Sequence, residues 1–302
     1  MTNSNSAEVG PDLSIVLVNW NTCEDLKHCL QSAFAEPGIN IQIIVVDNAS
    51  SDGSASMTAT EFPSVKLIRN IENVGFAKAS NQGIEISSGR YVMLLNPDSE
   101  VQPGAFRSLI DFADANPDAG IIGIKVLNSD GSLQYSCRRF PTLRAAVFRN
   151  TIIGRFFPRD PYTRDYLMTD LSHDQVMDVD WVSGCALTVR RQVIDQIGVL
   201  DERFFMYCED VDYGLRAHQQ GWRVVYFPGA AVIHARARGS DQNRNAMIVE
   251  FHRSMYRFFK KHYWKSASLF VRAIVPLGLV IRAGGFVARN YYYDVLRGRR
   301  KA

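Results

Sequence analysis

The chain has 302 residues, of which 46% are hydrophobic and 22% are charged. This composition is typical of a folded globular protein and excludes global disorder, a collagen-like fibre and a coiled coil. The length corresponds to one large domain or two small ones, at roughly 100–200 residues per domain. The formal net charge of +3 conceals an asymmetry, because 12 lysines and arginines but only two acidic residues follow position 249. An acidic body with a basic tail suggests that the tail contacts an anionic surface.

Cysteine usage and the polar N-terminus indicate where the protein works. The five cysteines include no CxxC pair, which argues against a zinc ribbon, a redox motif and a disulfide scaffold. Residues 1–12 form a polar tail without an apolar signal core, so export is not expected. We therefore expect a cytoplasmic protein whose cysteines are reduced.

Apolar runs alternate with helical patterns over residues 13–126. Helices are predicted at 22–34, 76–86 and 103–116, where capping and breaking residues bracket each pattern. Five strands are predicted, at Leu13–Val18, Ile41–Val46, Val65–Arg69, Tyr91–Leu95 and Gly120–Val126. The first is an apolar run typical of a strand buried on both faces of a sheet, and the second is expected to be buried in the same way. This order predicts an α/β fold with a mostly parallel sheet and helices on both faces.

The second half of the chain is less regular. Residues 132–178 are rich in Arg, Phe and Pro, show no clean period, and are predicted to form an irregular insertion. Short strands are predicted at Ala186–Val189, 223–227 and 231–234, and helices at 191–197 and 209–219. From about Asn245 the pattern becomes helical, with apolar residues on one face.

Polar side chains follow three of the predicted strands, where a parallel sheet binds its ligands. They are Asn19 and Asn21 after the first strand, Asp47 after the second, and Asn96 and Asp98 after the fourth. Such residues are also ordinary turn formers, which is the simpler interpretation of any one loop. The sequence has no glycine-rich phosphate loop, so a divalent cation on oxygen ligands is expected to hold any bound diphosphate.

Two further features suggest chemistry in the second half. The segment 201–212 is acidic, and one of its carboxylates is a candidate general base. The simpler interpretation is a helix start with favourable charges, in which Asp212 and Arg216 form a surface pair four residues apart. His234 ends a short apolar strand and is either structural or a metal ligand.

Taken together, these segments resemble the family-two glycosyltransferases that use nucleotide sugars and invert configuration, in particular the rhamnosyltransferase-like enzymes of bacterial surface polysaccharide assembly. The resemblance covers roughly residues 13–240. It rests on segments in the right order: VNWN, VVDNASSDGS, NVGFAKASNQG, LLNPD, WVSGCALTVRR, DERFFMYCEDVDYGLR and IH. It implies a glycosyltransferase A-type, Rossmann-like fold over residues 13–244, with a nucleotide-sugar-binding half (13–126) and an acceptor half (127–244), and a basic helical tail over 245–302.

The resemblance also implies a role for each candidate residue. Asp98, in the place of the family's Asp-x-Asp motif, and His234 are expected to hold Mg²⁺ or Mn²⁺; the first acid of that motif is Asn96 here. Asp210 matches the proposed catalytic base, with Glu209 beside it. Donor contacts are expected from Asn19, Asn21, Asp47, Asn73, Gly75, Asn81, Asn96 and Asp98, and sugar or acceptor contacts from Trp181, Ser183 and Gly184.

The implied reaction moves a sugar, L-rhamnose in the first instance, from a dTDP- or UDP-sugar to a hydroxyl of a glycan or lipid-linked glycan. Alternatives are another UDP-linked sugar and a non-catalytic nucleotide-sugar-binding module. A sugar-nucleotide pyrophosphorylase would need a glycine-rich basic loop after the first strand, which is absent.

The basic tail gives a further expectation about partners. Residues 266–288 are apolar, but Ala273–Ile281, the stretch free of charge, is too short to span a bilayer. We expect a basic amphipathic helix over 266–302 at the inner face of the cell membrane. A transmembrane helix, or one packed on the body or on a second subunit in a homo-oligomer, stays open as an alternative. No nucleic-acid recognition motif accompanies the charge.

Overall fold

The computed structural model describes residues 10–142, 160–235 and 243–299. Most of the predicted N-terminal tail, residues 143–159 of the predicted insertion, and Arg300 and Lys301 of the basic run lie outside the described residues.

The central sheet has ten strands and combines both predicted halves of the domain. A separate two-stranded sheet joins β8 and β10. The strands are β1 (Leu13–Asn19), β2 (Ile41–Asp47), β3 (Lys66–Arg69), β4 (Tyr91–Leu95), β5 (Ser99–Val101), β6 (Ala119–Leu127), β7 (Leu133–Gln134), β8 (Cys137–Arg138), β9 (Met177–Asp178), β10 (Trp181–Val182), β11 (Ala186–Arg190) and β12 (Arg223–His234). The main order is β3-β2-β1-β4-β11-β6-β12-β5. The halves 13–126 and 127–244 are therefore not separate units, because β11 lies between β4 and β6.

The strand directions confirm a mixed, mostly parallel sheet. Strands β1 to β4 are parallel, and β12 is parallel to β6. Strand β11 is antiparallel to both of its neighbours, and Ala186 pairs with Leu95. Because β11 runs in reverse, the residues before it lie at the carboxyl end of β4. This places segment 181–185 beside the loops that follow β1, β2 and β4.

Helices cover both faces of the sheet, as predicted. They are α1 (Cys23–Phe34), α2 (Ser54–Glu61), α3 (Phe76–Glu85), α4 (Ala105–Ala115), α5 (Pro161–Leu167), α6 (Arg191–Ile197), α7 (Glu209–Gln219), α8 (Arg244–His262) and α9 (Leu269–Arg299). One apolar cluster packs α1 and α4 against the sheet, and a second packs α3, α6 and α7. Strands β1, β2, β4 and β6 have side chains buried on both faces between these layers. Strand β3 lies at the end of the strand order and is only partly buried.

Several element predictions were incomplete. Helix α2 was not predicted, and the two strands expected at 223–227 and 231–234 are one strand, β12, with a register shift between Phe227 and Ala231. The described part of the predicted irregular insertion contains the short elements β7, β8, β9 and α5. Thr22 occupies the N-cap position of α1, but its hydroxyl donates to Asn19 Oδ1 (2.7 Å) and makes no capping hydrogen bond with the helix.

The predicted C-terminal tail consists of two helices with different environments. Helix α8 packs on the body through Phe258 and Phe259, which are buried. Helix α9 runs back along α8, with Asn290 Nδ2 donating to Asn245 Oδ1 (2.9 Å) near its far end. Its apolar residues are mostly exposed, and the stretch Leu269–Asp294 is long and apolar enough to cross a bilayer, with a mean hydropathy of 1.7 in its most apolar window.

Candidate active site

The ends of β1 and β2 form one hydrogen-bonded corner. Asn19 lies opposite Asp47 in the parallel register, and its Nδ2 donates to Asp47 Oδ1 and to Ser50 Oγ, both at 3.1 Å. The second carboxylate oxygen of Asp47 accepts from the Ser50 backbone N–H (3.0 Å). Asn19 is fully buried and its amide is used inside the protein, where it positions Asp47. Its contact with the nucleoside stays a prediction.

The loop after β2 is held by a second amide network. Asn21 has a φ of 53°, and its Oδ1 accepts from the backbone N–H of Ser51 (2.7 Å). Asn48, which was not singled out in the sequence, donates through Nδ2 to Asn73 Oδ1 (3.1 Å) and to the Gly75 carbonyl (3.2 Å). These contacts tie the loop after β2 to the loop before α3, where the donor pocket was predicted.

Gly75 and Asn81 fasten α3 to the acidic segment 200–212. Gly75 has a φ of +89°, and a Cβ there would lie 2.5 Å from the carbonyl oxygen of Phe205. Asn81 Nδ2 donates to the Leu200 carbonyl (2.9 Å), while its Oδ1 accepts from the Leu200 N–H (3.0 Å). Asn81 is 7% exposed, so it shapes this part of the site by holding segment 200–202.

An acid–imidazole pair lies at the carboxyl end of β4. His234 Nε2 is 3.0 Å from Asp98 Oδ1 and 3.2 Å from Asn96 Nδ2, and its Nδ1 is 2.8 Å from Gln134 Oε1. Burial disfavours the charged imidazole, but Asp98 and Cys185 outweigh it and raise the pKa of His234 to about 10. The two residues predicted to hold a metal, Asp98 and His234, are thus neighbours in the structure. Gln134 was missed because nothing in its irregular stretch signals a role.

The donor atoms of this pair fit a divalent cation. One carboxylate oxygen and one imidazole nitrogen converge, and Gln134 fixes the ring from behind, as second-layer partners of metal-bound histidines do. Within the described ranges, no group of three or more His, Cys, Asp or Glu side chains is arranged to hold a metal. Asp98 and His234 would therefore supply two ligands, and the substrate and water the others.

The second carboxylate site lies at the start of α7. Asp210 Oδ2 accepts from the backbone N–H of Gly184 (3.2 Å), and its Oδ1 accepts from the N–H of Val211 (2.8 Å). Burial raises the pKa of Asp210, although these N–H groups and the charge of Arg138 oppose the rise. Glu209 is 5% exposed with one unpartnered carboxylate oxygen, and burial and the Asp210 charge raise its pKa well above the ordinary range.

Segment 181–185 connects the two acidic sites. Gly184 contacts Asp210, and the carbonyl of the next residue, Cys185, accepts from the N–H of Asn96 (2.9 Å). Ser183 pairs through its N–H with the Ser136 carbonyl (2.7 Å). Trp181 is 6% exposed and its Nε1 donates to the Arg139 carbonyl (2.9 Å), so its ring is part of a buried cluster. The structure therefore brings Gly184 to the site and places Trp181 beneath it.

The environment of Asp212 differs from the predicted surface pair. Asp212 is fully buried and accepts from Arg216 Nε (3.0 Å) and from both Lys261 Nζ and His262 Nε2 (2.6 Å each). Lys261 also reaches Asp201 (2.7 Å). Helix α8 is thereby ionically tied to the helix that carries Asp210. The sequence spacing revealed the Arg216 contact but not the partners from α8.

Asp47, the Asp98–His234 pair and the carboxylates at the start of α7 thus lie around the carboxyl edge of a mostly parallel α/β sheet, where folds of this kind bind their ligands. Residues 14–177 match the family model for glycosyl transferase family 2, and the chain belongs to that family.

Relatives along most of the chain carry related activities. The chain is 32% identical over 270 residues to an N-acetylglucosaminyl-diphospho-decaprenol L-rhamnosyltransferase of Mycobacterium tuberculosis, covering 85% of this chain and 87% of the relative. It is 26% identical over 269 residues to the low-salt glycan biosynthesis hexosyltransferase Agl10 of Haloferax volcanii, covering 87% and 78%.

Two solved structures share the fold. The mannosyltransferase PcManGT of Pyrobaculum calidifontis in complex with GDP-Man and Mn²⁺ superimposes with a TM-score of 0.56 at 15% identity, covering 94% of this chain and 76% of that one. GalNAc-T7 with UDP, GalNAc and Mn²⁺ gives a TM-score of 0.58 at 16% identity, covering 82% of this chain and 48% of that one.

Proposed function

We propose that this glycosyltransferase moves L-rhamnose, with inversion, from a dTDP- or UDP-linked donor to a hydroxyl of a lipid-linked glycan in cell-surface polysaccharide synthesis. The likeness to the mycobacterial rhamnosyltransferase over 85% of the chain supports the sugar and the acceptor class. The observation that supports the proposal most directly is that segment 181–185 links the two acidic sites. Gly184 contacts Asp210, and the adjacent Cys185 contacts Asn96, which lies beside the Asp98–His234 pair.

Asp210 is the proposed catalytic base. It takes the proton from the acceptor hydroxyl as the hydroxyl oxygen attacks the anomeric carbon from the face opposite the leaving diphosphate, so the configuration inverts. Its raised pKa makes it a stronger base than an ordinary aspartate once it is ionised. The N–H groups of Gly184 and Val211 fix both of its oxygens, which orients the carboxylate toward one acceptor position.

The remaining residues hold the donor. Asp47, fixed by Asn19 and Ser50, is proposed to bind the nucleoside, and the loops of Asn21, Asn73 and Gly75 to enclose it. Asp98 and His234 would hold Mg²⁺ or Mn²⁺. A bound divalent cation would neutralise the charge that develops on the leaving diphosphate.

Replacement of the base tests the proposed reaction. We expect Asp210→Asn to lower kcat by about 10²–10⁴, while dTDP or UDP with Mn²⁺ still raises the thermal midpoint of the variant. The nucleotide that stabilises the protein identifies the donor base, since a ligand adds to stability in proportion to its occupancy. Asp195→Asn, which changes an exposed carboxylate on α6, is the matched control. Near-normal transfer by Asp210→Asn would remove Asp210 from the role of base.

Helix α9 is the proposed membrane contact, at the inner face of the cell membrane. Its exposed side chains include Leu277, Val280 and Ile281, which are 59%, 70% and 65% exposed. Arg272, Arg282 and Arg289 interrupt the same helix, and basic residues follow its apolar part. Apolar surface with cationic flanks fits a bilayer with anionic lipids, where a lipid-linked acceptor is also found. A second copy of the chain is the alternative occupant of this surface.

A further inference from the structure

One cation near Asp210, Arg138, forms no ion pair among the described residues. Arg138 lies on β8, directly opposite Trp181 of β10. Within the described residues its guanidinium makes no ion pair, and its buried Nε has no hydrogen-bond partner. The neighbouring Arg139, by contrast, is paired with Asp180 (3.4 Å). Its charge acts on the Asp210 carboxylate without a direct ion pair or hydrogen bond between them. A half-buried guanidinium held in this way is costly for the folded protein, which points to a functional role.

Aromatic rings hold this guanidinium in place. Its central carbon lies 5.3 Å from the ring centroid of Trp181 and 5.8 Å from that of Tyr166. Both rings belong to a buried cluster with Val211, the residue after Asp210. Stacking on ring faces fixes the plane of a guanidinium while leaving its N–H groups available. Arg138 is therefore preorganised as a donor next to the start of α7, where its charge acts on Asp210.

Arg138 lies some distance along the chain from the residue that contacts the Asp98–His234 pair. Gln134, four residues earlier, contacts His234, one of the two proposed metal ligands. Four extended residues span up to about 13 Å. The intervening Ser136 carbonyl binds the Ser183 N–H, so this stretch runs alongside segment 181–185 toward Asp210. In the proposed reaction the base contacts the acceptor, so a guanidinium near Asp210 is placed to act on the acceptor.

We infer that Arg138 binds a phosphate group of the acceptor and so selects acceptors whose first sugar is carried on a diphosphate. This inference rests on the proposed function, because it takes the acceptor to be lipid-linked. The terminal N–H groups of Arg138 make no hydrogen bond within the described residues, and such groups match phosphate oxygens in a bidentate geometry, whereas an uncharged glycoside needs no cation at this position. Arg138 thereby positions the acceptor hydroxyl against Asp210.

The test measures binding without transfer. Calorimetry compares an N-acetylglucosaminyl diphosphate carrying a short prenyl chain with the phosphate-free octyl N-acetylglucosaminide, on the full chain without donor. We expect Arg138→Gln to weaken binding of the diphosphate probe at least tenfold and to leave octyl glycoside and dTDP binding within twofold. Arg138→Lys should recover part of the loss. Arg139→Gln, which removes an adjacent but already paired arginine, is the matched control.

Equal affinity of Arg138→Gln and the wild type for the diphosphate probe would overturn the inference. So would a wild type that binds this probe no more tightly than the glycoside. A third contrary result is that Arg138→Gln loses affinity for dTDP instead of for the diphosphate probe. Arg138→Met keeps apolar packing on Trp181 and Tyr166 without the charge, so it replaces Arg138→Gln if that variant unfolds. Failure of the proposed function would appear separately, as absence of a transfer product from the wild type in a parallel assay.

Discussion

The backbone of Gly75 passes so close to Phe205 that no side chain fits between them. Its φ of +89° and ψ of 172° belong to a region that only glycine adopts readily. A Cβ would meet both the carbonyl oxygen and the ring of Phe205, at 2.5 and 2.7 Å. The close approach also lets the Phe76 N–H donate to the Phe205 carbonyl (2.6 Å). This single position therefore joins the donor loop to the acidic segment.

Gly75→Ala should consequently destabilise the protein by about 2–4 kcal/mol, from backbone strain plus overpacking. It should also lower the affinity for the nucleotide, because the loop of Asn73 must move. Chemical denaturation and nucleotide titration check the two effects. Gly53→Ala is the control, since Gly53 has the same φ of +89° but no atom within 4 Å of a Cβ. Its cost should be only about 1–2 kcal/mol, and equal losses in both variants would contradict the role of Phe205.

The environment of Asp210 predicts how activity depends on pH. A general base acts only when ionised, and burial raises the pKa of Asp210 above its ordinary value. Activity should therefore rise with pH through an acid limb that lies above the ordinary aspartate range near about 4. The pH profile of kcat/KM measures this limb, and the thermal midpoint at each pH shows that the enzyme remains folded. A limb at or below the ordinary range would contradict the buried position of the base.

Sequence reasoning predicted which candidate residues lie together at one edge of the sheet, but not the contacts that each of them makes. Asn19, Asp47, Asp98 and His234 were found because polar side chains at the ends of apolar strands stand out. Their division into contacting and supporting residues depends on neighbours far along the chain, such as Ser50 and Gln134. Arg138 gave no signal, because an unpaired charge is recognised only when its surroundings are known.

At the scale of elements, regular patterns were predictable and short ones were not. Strands β1, β2 and β4 are dominated by apolar residues, and α4 has a clear amphipathic pattern. Helix α2 has the sequence SASMTATE, which lacks an apolar stripe, and it forms because the fold surrounds it. Strands β7 to β10 have two residues each, too few for any period. Their positions depend on pairing partners that only the folded chain provides.

The buried Asp212 on α7 forms ion pairs with residues of α8, so the packing of these two helices depends on one carboxylate. Removal of its charge leaves Lys261, His262 and Arg216 facing a neutral amide, and breaking a buried ionic cluster costs about 3–5 kcal/mol. Asp212→Asn should therefore lower stability by this amount at pH 7, as measured by denaturation. Asp111→Asn is the matched control, because its pair with Arg107 is about 60% exposed on both sides. Its effect should stay below about 1 kcal/mol.

The difference in stability between the wild type and Asp212→Asn should depend on pH in a definite direction. Burial alone would raise the pKa of Asp212, but hydrogen bonds from His262 and Lys261 outweigh it and hold the pKa below its ordinary value. The stabilisation is thus complete above the unfolded carboxyl pKa of about 4 and is lost as the pH falls through the folded value. The gap between wild type and Asp212→Asn should narrow below that range. A gap that widened in acid would contradict an ionised Asp212.

At the scale of the whole molecule, α8 links the catalytic body to the exposed helix α9. Helix α8 contacts the acidic segment through Ser254 and Lys261, and its other side carries α9 through Asn245 and His252. A surface bound by α9 is therefore mechanically connected to the helix of Asp210. If that surface is a bilayer, the active site is held at a fixed distance from it. A lipid-linked acceptor, whose lipid lies in the same bilayer, would then present its sugar at a constant height.

Substitutions on α9 test this arrangement without disturbing the core. Leu277→Glu, Val280→Glu and Ile281→Glu together should abolish sedimentation with vesicles containing anionic lipid, because charges replace the exposed apolar side chains. Ile71→Glu, at a fully exposed apolar residue on the body, should leave sedimentation intact. Release of the wild type from membranes by alkaline carbonate would indicate surface contact, and retention would indicate a spanning helix. Wild-type protein that ignores vesicles but dimerises through α9 by light scattering would instead assign this surface to a second copy of the chain.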